Sequence, residues 1–183
     1  MDQLRRATTK KFVRSTLATL IAVTAIGGGI AASAAPTMAA TPLYLPFPAA
    51  ETCQVAQIDP DGAVDLTLPS GTSVMSSAAG IVLEAGPSAN PAEGIAVVVD
   101  IGNNACLQYL DLGGVAMSPG EVVYQSQRVG AAGGNATTLA GSTLHWNTVS
   151  CSTRQPLGSL TVAEYPEGVS AGQWVTSQNR REQ

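Results

Sequence analysis

Histidine occurs once in this 183-residue chain, at His145, and that scarcity excludes any chemistry that divides metal ligation and proton transfer among several imidazoles. Lysine is absent after Lys11, and from Thr41 onward the only basic residues are Arg128, Arg154, Arg180 and Arg181. A polyanion such as nucleic acid or teichoic acid is held by clustered cations that displace its counterions, so neither is an expected partner. There is no Cys-x-x-Cys, no phosphate-binding loop and no dinucleotide fingerprint. No nucleophile-elbow sequence accompanies the lone histidine, and Cys106 or Cys151 acting as a nucleophile would need a base beside it. No segment from Thr41 onward carries a sustained helical period with caps. The longest apolar run, Leu17 to Ile30, is shorter than the roughly 20 residues of a membrane span, and Gly27, Gly28 and Gly29 weaken it as a helix.

What is present begins with an export pattern. Arg5, Arg6, Lys10, Lys11 and Arg14 precede the apolar run, and small residues follow it around Ala32-Ser33-Ala34, as in a secretory signal. Residues 1–40 are therefore expected to be removed, by cleavage after Ala34, Ala35, Ala39 or Ala40; an uncleaved anchor is the alternative. Ala7-Thr8-Thr9-Lys10 does not supply the apolar residues that a twin-arginine signal wants after Arg5-Arg6, which favours the general secretory route. The expected location is secreted, extracellular or cell-wall associated, with no stable membrane span after cleavage. The remaining chain of about 140 residues suits one domain. It sets 4 basic against 12 acidic groups, a net charge of −8, and so favours neutral or cationic ligands.

Three cysteines, Cys53, Cys106 and Cys151, in a chain bound for an oxidising compartment predict one disulfide and one leftover thiol. The expected pair is Cys106 with Cys151, closing a loop long enough to add roughly 4 kcal/mol through the unfolded chain. Three buried, unpaired thiols are the alternative.

Pro42, Pro46 and Pro48 mark an extended lead-in over residues 41–52. Beyond it, short apolar runs alternate with Gly, Pro, Asn and Ser clusters: Ala63–Leu68, Ser73–Met75, Gly80–Leu83, Ile95–Ile101, Cys106–Leu112, Val122–Tyr124 and Leu144–Val149. That spacing predicts an all-β, mainly antiparallel sandwich or barrel over residues 53–158, followed by a tail over 159–183 that packs in part and frays at Arg180-Arg181-Glu182-Gln183. Gly94 to Ile101 hardly alternates, which predicts a central strand covered on both faces. Asn103-Asn104 predicts the next hairpin turn, since Asn tolerates positive φ. Pro69–Val74 leading to Gly80-Ile81-Val82 echoes Ser118–Val123 leading to Arg128-Val129-Gly130, as an internal repeat or as a chance product of glycine turns and valine strands.

In order, these pieces resemble the lysostaphin-like, or LytM-type, zinc endopeptidases that cut peptidoglycan cross-bridges. Asp61-Gly62-Ala63-Val64-Asp65 stands where the family has His-x-x-x-Asp, and Pro69 to Gly80 resembles the hairpin that follows. Val98-Val99-Asp100-Ile101-Gly102 resembles "V-V-x-H-G", and Tyr109-Leu110-Asp111-Leu112 stands for "Y-x-H-L". Ser118 to Val129 resembles the "x-x-G-x-x-V" hairpin, and Ser142-Thr143-Leu144-His145-Trp146 falls at "P-H-L-H-F". The resemblance implies the duplicated-hybrid-motif type of β fold. It also implies a metal site whose three ligand positions fall on Asp61, Asp65 and His145, and two assisting histidine positions that fall on Asp111 and Thr143. Only Asp65 and His145 keep the family's residue types, so the chain resembles a degenerate member.

Zinc is the metal implied, and Asp61, Asp65 and His145 would give it two carboxylates and one imidazole. Water facing two anionic ligands is acidified less than water facing one. Asp111, expected to be ionised near neutral pH, would repel a developing oxyanion, and Thr143 cannot act as a base. A lost oxyanion donor costs about 10² to 10³ in rate and lost acid–base assistance about 10² to 10⁴. The plainer expectations are a His145 hydrogen-bonded within the sheet, turn roles for Asp59-Pro60-Asp61-Gly62, an Asp65 pointing into the old groove, and core packing for Tyr109, Trp146 and Trp174. Strand alternation sets His145 and Trp146 on opposite faces. The function expected is an inactive domain binding peptidoglycan peptides or a protein partner and needing no cofactor. The alternatives are a divergent zinc endopeptidase and a structural exported module without a groove.

Overall fold

A computed structural model describes residues 42–133 and 142–180; the expected export signal over residues 1–40, and residues 181–183 of the end expected to fray, lie outside them. Ten strands run in chain order as β1 (Thr52–Ile58), β2 (Val64–Leu68), β3 (Ser73–Met75), β4 (Gly80–Pro87), β5 (Ile95–Asp100), β6 (Ala105–Val115), β7 (Val122–Val123), β8 (Arg128–Ala132), β9 (Ser142–Ser150) and β10 (Trp174–Thr176). The helix among the described residues is a single 3₁₀ turn, Pro91–Glu93, so the all-β expectation holds. Strand pairs are antiparallel throughout, in the order β10-β1-β2-β9-β6-β5-β4-β7, with β8 pairing both β3 and the end of β6. No described helix is long and apolar enough to cross a membrane.

Alternation decides the two faces. In β2 the apolar Val64, Leu66 and Leu68 are buried, and Asp65 and Thr67 point the other way. In β9 Leu144 and Trp146 join the same core, as do Leu107 and Tyr109 of β6 and Val97 and Val99 of β5. Trp146 and Tyr109 are its largest side chains, 1% and 0% exposed, and burial of such rings contributes about 1.5–3 kcal/mol each. The opposite face of β5 and β6 is closed by a smaller cluster of Val98, Cys106 and Val149, with Cys151 packed against it. That double cover accounts for the near-continuous apolar run of β5. Trp174, expected in the core, is instead 68% exposed, because β10 is a three-residue edge strand that buries only its central Val175.

The echoed segments are spatial partners. β3 pairs with β8 and β4 with β7, so each of the two strands of one segment joins a strand of the other. The turn between β5 and β6 sets Asn103 and Asn104 at φ 54° and 60°, closed by a bond from the Ala105 N–H to the Gly102 carbonyl. Lead-in and tail belong to the same body. Leu43, Leu45 and Phe47 are buried with Leu160 and Val162, the Ala163 N–H bonds the Leu43 carbonyl, and Asn179 Nδ2 donates to the carbonyls of Leu45 and Ser76 at 2.9 and 3.0 Å.

Candidate functional site

The face of β2, β9 and β6 turned away from the main core carries Asp65, then His145, Asn147 and Val149, then Gln108 and Leu110. Two turns and a strand bulge raise walls around it and leave a groove of about 330 Å³ lined in part by Asp61, Glu93, Asp111, His145, Asn147 and Arg154.

The first wall is the Asp59–Gly62 turn. The Gly62 N–H bonds the Asp59 carbonyl at 2.9 Å, Asp61 accepts from the Ala63 N–H at 3.2 Å, and Gly62 sits at φ 92° with the Gly158 backbone 2.5 Å from where a Cβ would stand. Only glycine fits there. The second wall comes from a bulge in β6. Between the pairs Ile95↔Leu112 and Val97↔Tyr109, β5 spends one residue and β6 two. Leu110 and Asp111 therefore both face the groove and Leu112 returns to the core. Asp111 takes φ 60° to do so, a conformation that Asp tolerates better than most residues. Glu93 stands near it, its carboxylate fixed by Ser88 Oγ at 2.7 Å and Asn90 Nδ2 at 3.0 Å.

The third wall is the turn after β9. Residues 151–157 fold back so that the Leu157 N–H reaches the Thr148 carbonyl and the Ser150 N–H reaches the Gln155 carbonyl. The expected disulfide is formed between Cys106 and Cys151 and ties the start of this turn to β6. Arg154, at its tip, pairs with Glu84. Cys53 is the free thiol, and burial pushes its pKa up to about 12, so it stays protonated and inert.

Asp65 and His145 are register partners, with Nδ1 of the imidazole 2.9 Å from the carboxylate Oδ1. That hydrogen bond raises the pKa of His145 above its ordinary 6.5; burial opposes the rise, and the charges of Asp65, Asp59 and Asp61 reinforce it. The Asp111 carboxyl is also pushed up, first by burial and then by Asp65 and Glu93, while His145 pulls it back down. Asp111 therefore gives up its charge at a higher pH than a free aspartate. Thr143 shares the His145 side of β9, two residues earlier, but is exposed and outside the groove lining.

Of the positions read as metal ligands, Asp65 and His145 meet directly, and Asp61 lines the same groove. The carboxylate that completes the tightest cluster is Asp59: its Oδ2 is 3.9 Å from Nδ1, and the ligand atoms of Asp59, Asp65 and His145 lie within 4.8 Å of one another. This donor set does not fit a catalytic zinc site. It offers one nitrogen where such sites with a carboxylate use two, and the Nδ1 of that imidazole is already engaged by Asp65. A second grouping, Asp100 with Cys106 and Cys151, has both sulfurs committed to the disulfide. Sequence reasoning did not single out Asn147, Glu93 or Arg154 for the groove. Asn147 was within reach, two positions after His145 on the same strand face; Glu93 and Arg154 arrive on loops whose docking no local pattern announces.

Among solved structures, Helicobacter pylori Csd3 is similar over 64% of this chain and 32% of its own, at 20% identity and a TM-score of 0.50. A zinc-containing peptidase from Vibrio cholerae is similar over 64% and 39%, at 20% identity and 0.47, and lysostaphin over 55% and 43%, at 21% and 0.45. The chain thus spans less than half the length of each. Residues 59–156 match peptidase family M23, and the chain belongs to that family. Comparison with curated proteins gives no match.

Proposed function

We propose that this is an exported M23 domain without hydrolytic activity, which uses the groove around His145 to bind peptide segments of cell-wall peptidoglycan. One observation carries the reading: the chain's single histidine is hydrogen-bonded to Asp65, at the position where the family's zinc ligand would stand. With Asp111 and Thr143 at the assisting positions, no second imidazole is available to move a proton. The groove itself persists, walled by a glycine-dependent turn, a strand bulge and a disulfide-tied loop, and its acidic rim suits the cationic or neutral ligands that the net charge of the exported part favours. Purified protein incubated with peptidoglycan and Zn²⁺ should release no new amino termini and should co-sediment with sacculi. Zinc-dependent cleavage abolished by His145→Ala would overturn the proposal, as would a failure to co-sediment.

A second reading, a divergent zinc endopeptidase, is favoured by the convergence of Asp59, Asp65 and His145 within 4.8 Å. It requires stoichiometric zinc in the purified protein by elemental analysis, lost in His145→Ala; a metal-free protein rules it out.

A further inference from the structure

Two polar atoms on the groove wall have no partner. Asn147 is only 7% exposed, and its Oδ1 makes no hydrogen bond; neither does Nη1 of Arg154, although the Nη2 of the same guanidinium bonds Glu84. A buried polar group left unsatisfied costs about 1–3 kcal/mol, and native proteins keep few of them. Both residues line the groove, and both are held in place: Asn147 by the register of β9 on β6, opposite Gln108, and Arg154 by the disulfide-tied turn. One atom is an acceptor in want of a donor, the other a donor in want of an acceptor.

That pair of needs suits a secondary amide, which presents N–H and C=O together. The remaining wall adds direction. Asp111 feels the charges of His145 and Glu93, whereas Arg154, the one arginine of the lining, pairs with Glu84 in the row that runs Glu84, Val98, Gln108, Asn147 across the sheet. We infer that Asn147 and Arg154 form a recognition subsite for a backbone amide of a short peptide, which lies along the groove with its ammonium group toward Glu93 and Asp111 and a carbonyl toward Arg154. This rests on the reading of the groove as a peptide-binding surface and narrows it to peptides with a free amine.

The test uses the purified full-length protein and the amide of trialanine with a free amino terminus, followed by calorimetry and by chemical-shift changes at the Asn147 side chain. Asn147→Leu, close in shape but without the acceptor, should weaken binding about tenfold while leaving the melting temperature unchanged or higher, since an unsatisfied group has been removed. Arg154→Lys keeps the charge but loses the guanidinium fork and should weaken binding to a similar degree. N-acetylation of the peptide should weaken it as well. Wild-type affinity in both variants, or a loss of stability in Asn147→Leu that parallels the loss of binding, overturns the subsite. Soluble peptidoglycan fragments separate the two levels of inference. If they bind in the groove with an affinity indifferent to Asn147 and Arg154, the subsite fails and the binding surface stands; if neither they nor trialanine amide bind, the binding surface itself fails.

Discussion

Asp65 of β2 and His145 of β9 sit directly opposite each other across an antiparallel ladder, with a 2.9 Å contact between carboxylate and imidazole. Because the bond favours the charged imidazole, the folded pKa lies above 6.5. The stability it contributes is full below the unfolded pKa of about 6.5 and is lost as pH rises through the folded value. His145→Gln should therefore cost more stability at pH 6 than at pH 9, and Asp65→Asn should move the imidazole titration, followed by proton NMR, to lower pH. An unchanged midpoint in Asp65→Asn would show that the contact does not set the charge of His145.

Asp111 presents the opposite sign. Its folded pKa is raised, mainly by burial, so its ionisation works against the fold as pH climbs above the ordinary carboxylate range. Asp111→Asn removes that charge and keeps a side chain that tolerates φ 60°. The variant should melt higher than wild type at pH 7, with the difference vanishing near pH 3, where the carboxyl is protonated in both states. A gain that persists unchanged at pH 3 would place the effect in the backbone.

The Cys106–Cys151 bond joins β6 to the turn that carries Arg154. Removing it with the paired change Cys106→Ser and Cys151→Ser should cost about 2–4 kcal/mol in denaturant unfolding. Faster amide exchange should be confined first to residues 151–157, since the ladder of β9 on β6 from Cys106 to Leu110 is held independently. Protection lost evenly across β9 and β6 would instead make the bond a support of the whole sheet.

The strands legible in the sequence are those whose apolar side chains alternate or run unbroken between turn residues: β2 to β7 and β9, among them β2, β6 and β9, whose outer face floors the groove. β1 was missed because Gln54, Ala56 and Gln57 dilute its buried Cys53 and Val55, and β8 because Arg128-Val129-Gly130-Ala131-Ala132 holds one sizeable apolar residue. The pairing of His145 with Asp65 follows from alternation once both strands share a face. Asp59, Glu93 and Arg154 do not follow from it, because each is delivered by a loop: those of Asp59 and Arg154 are set by distant contacts, the Gly62–Gly158 approach and the disulfide, and Glu93 sits in a 3₁₀ turn that Ser88 and Asn90 clasp locally. Trp174 was misplaced because hydrophobicity alone does not distinguish an edge strand from a central one.

Tyr109 offers a test of how far the core of the groove strands reaches. Its ring is fully buried in β6, and its hydroxyl accepts a 2.8 Å hydrogen bond from the Ser77 N–H. The carbonyl of that same Ser77 accepts from the Tyr44 N–H at 3.0 Å, so one phenol oxygen links a central strand to the proline-rich lead-in. Tyr109→Phe keeps the packing and leaves the Ser77 N–H without its acceptor in a dry setting, at an expected cost of about 1–3 kcal/mol. The Tyr44 and Ser77 amides should exchange faster in the variant than those of β9. Unaltered exchange at Tyr44 would show that the burial of Leu43, Leu45 and Phe47, with the bonds from Ala163 and Asn179, holds the lead-in without this link.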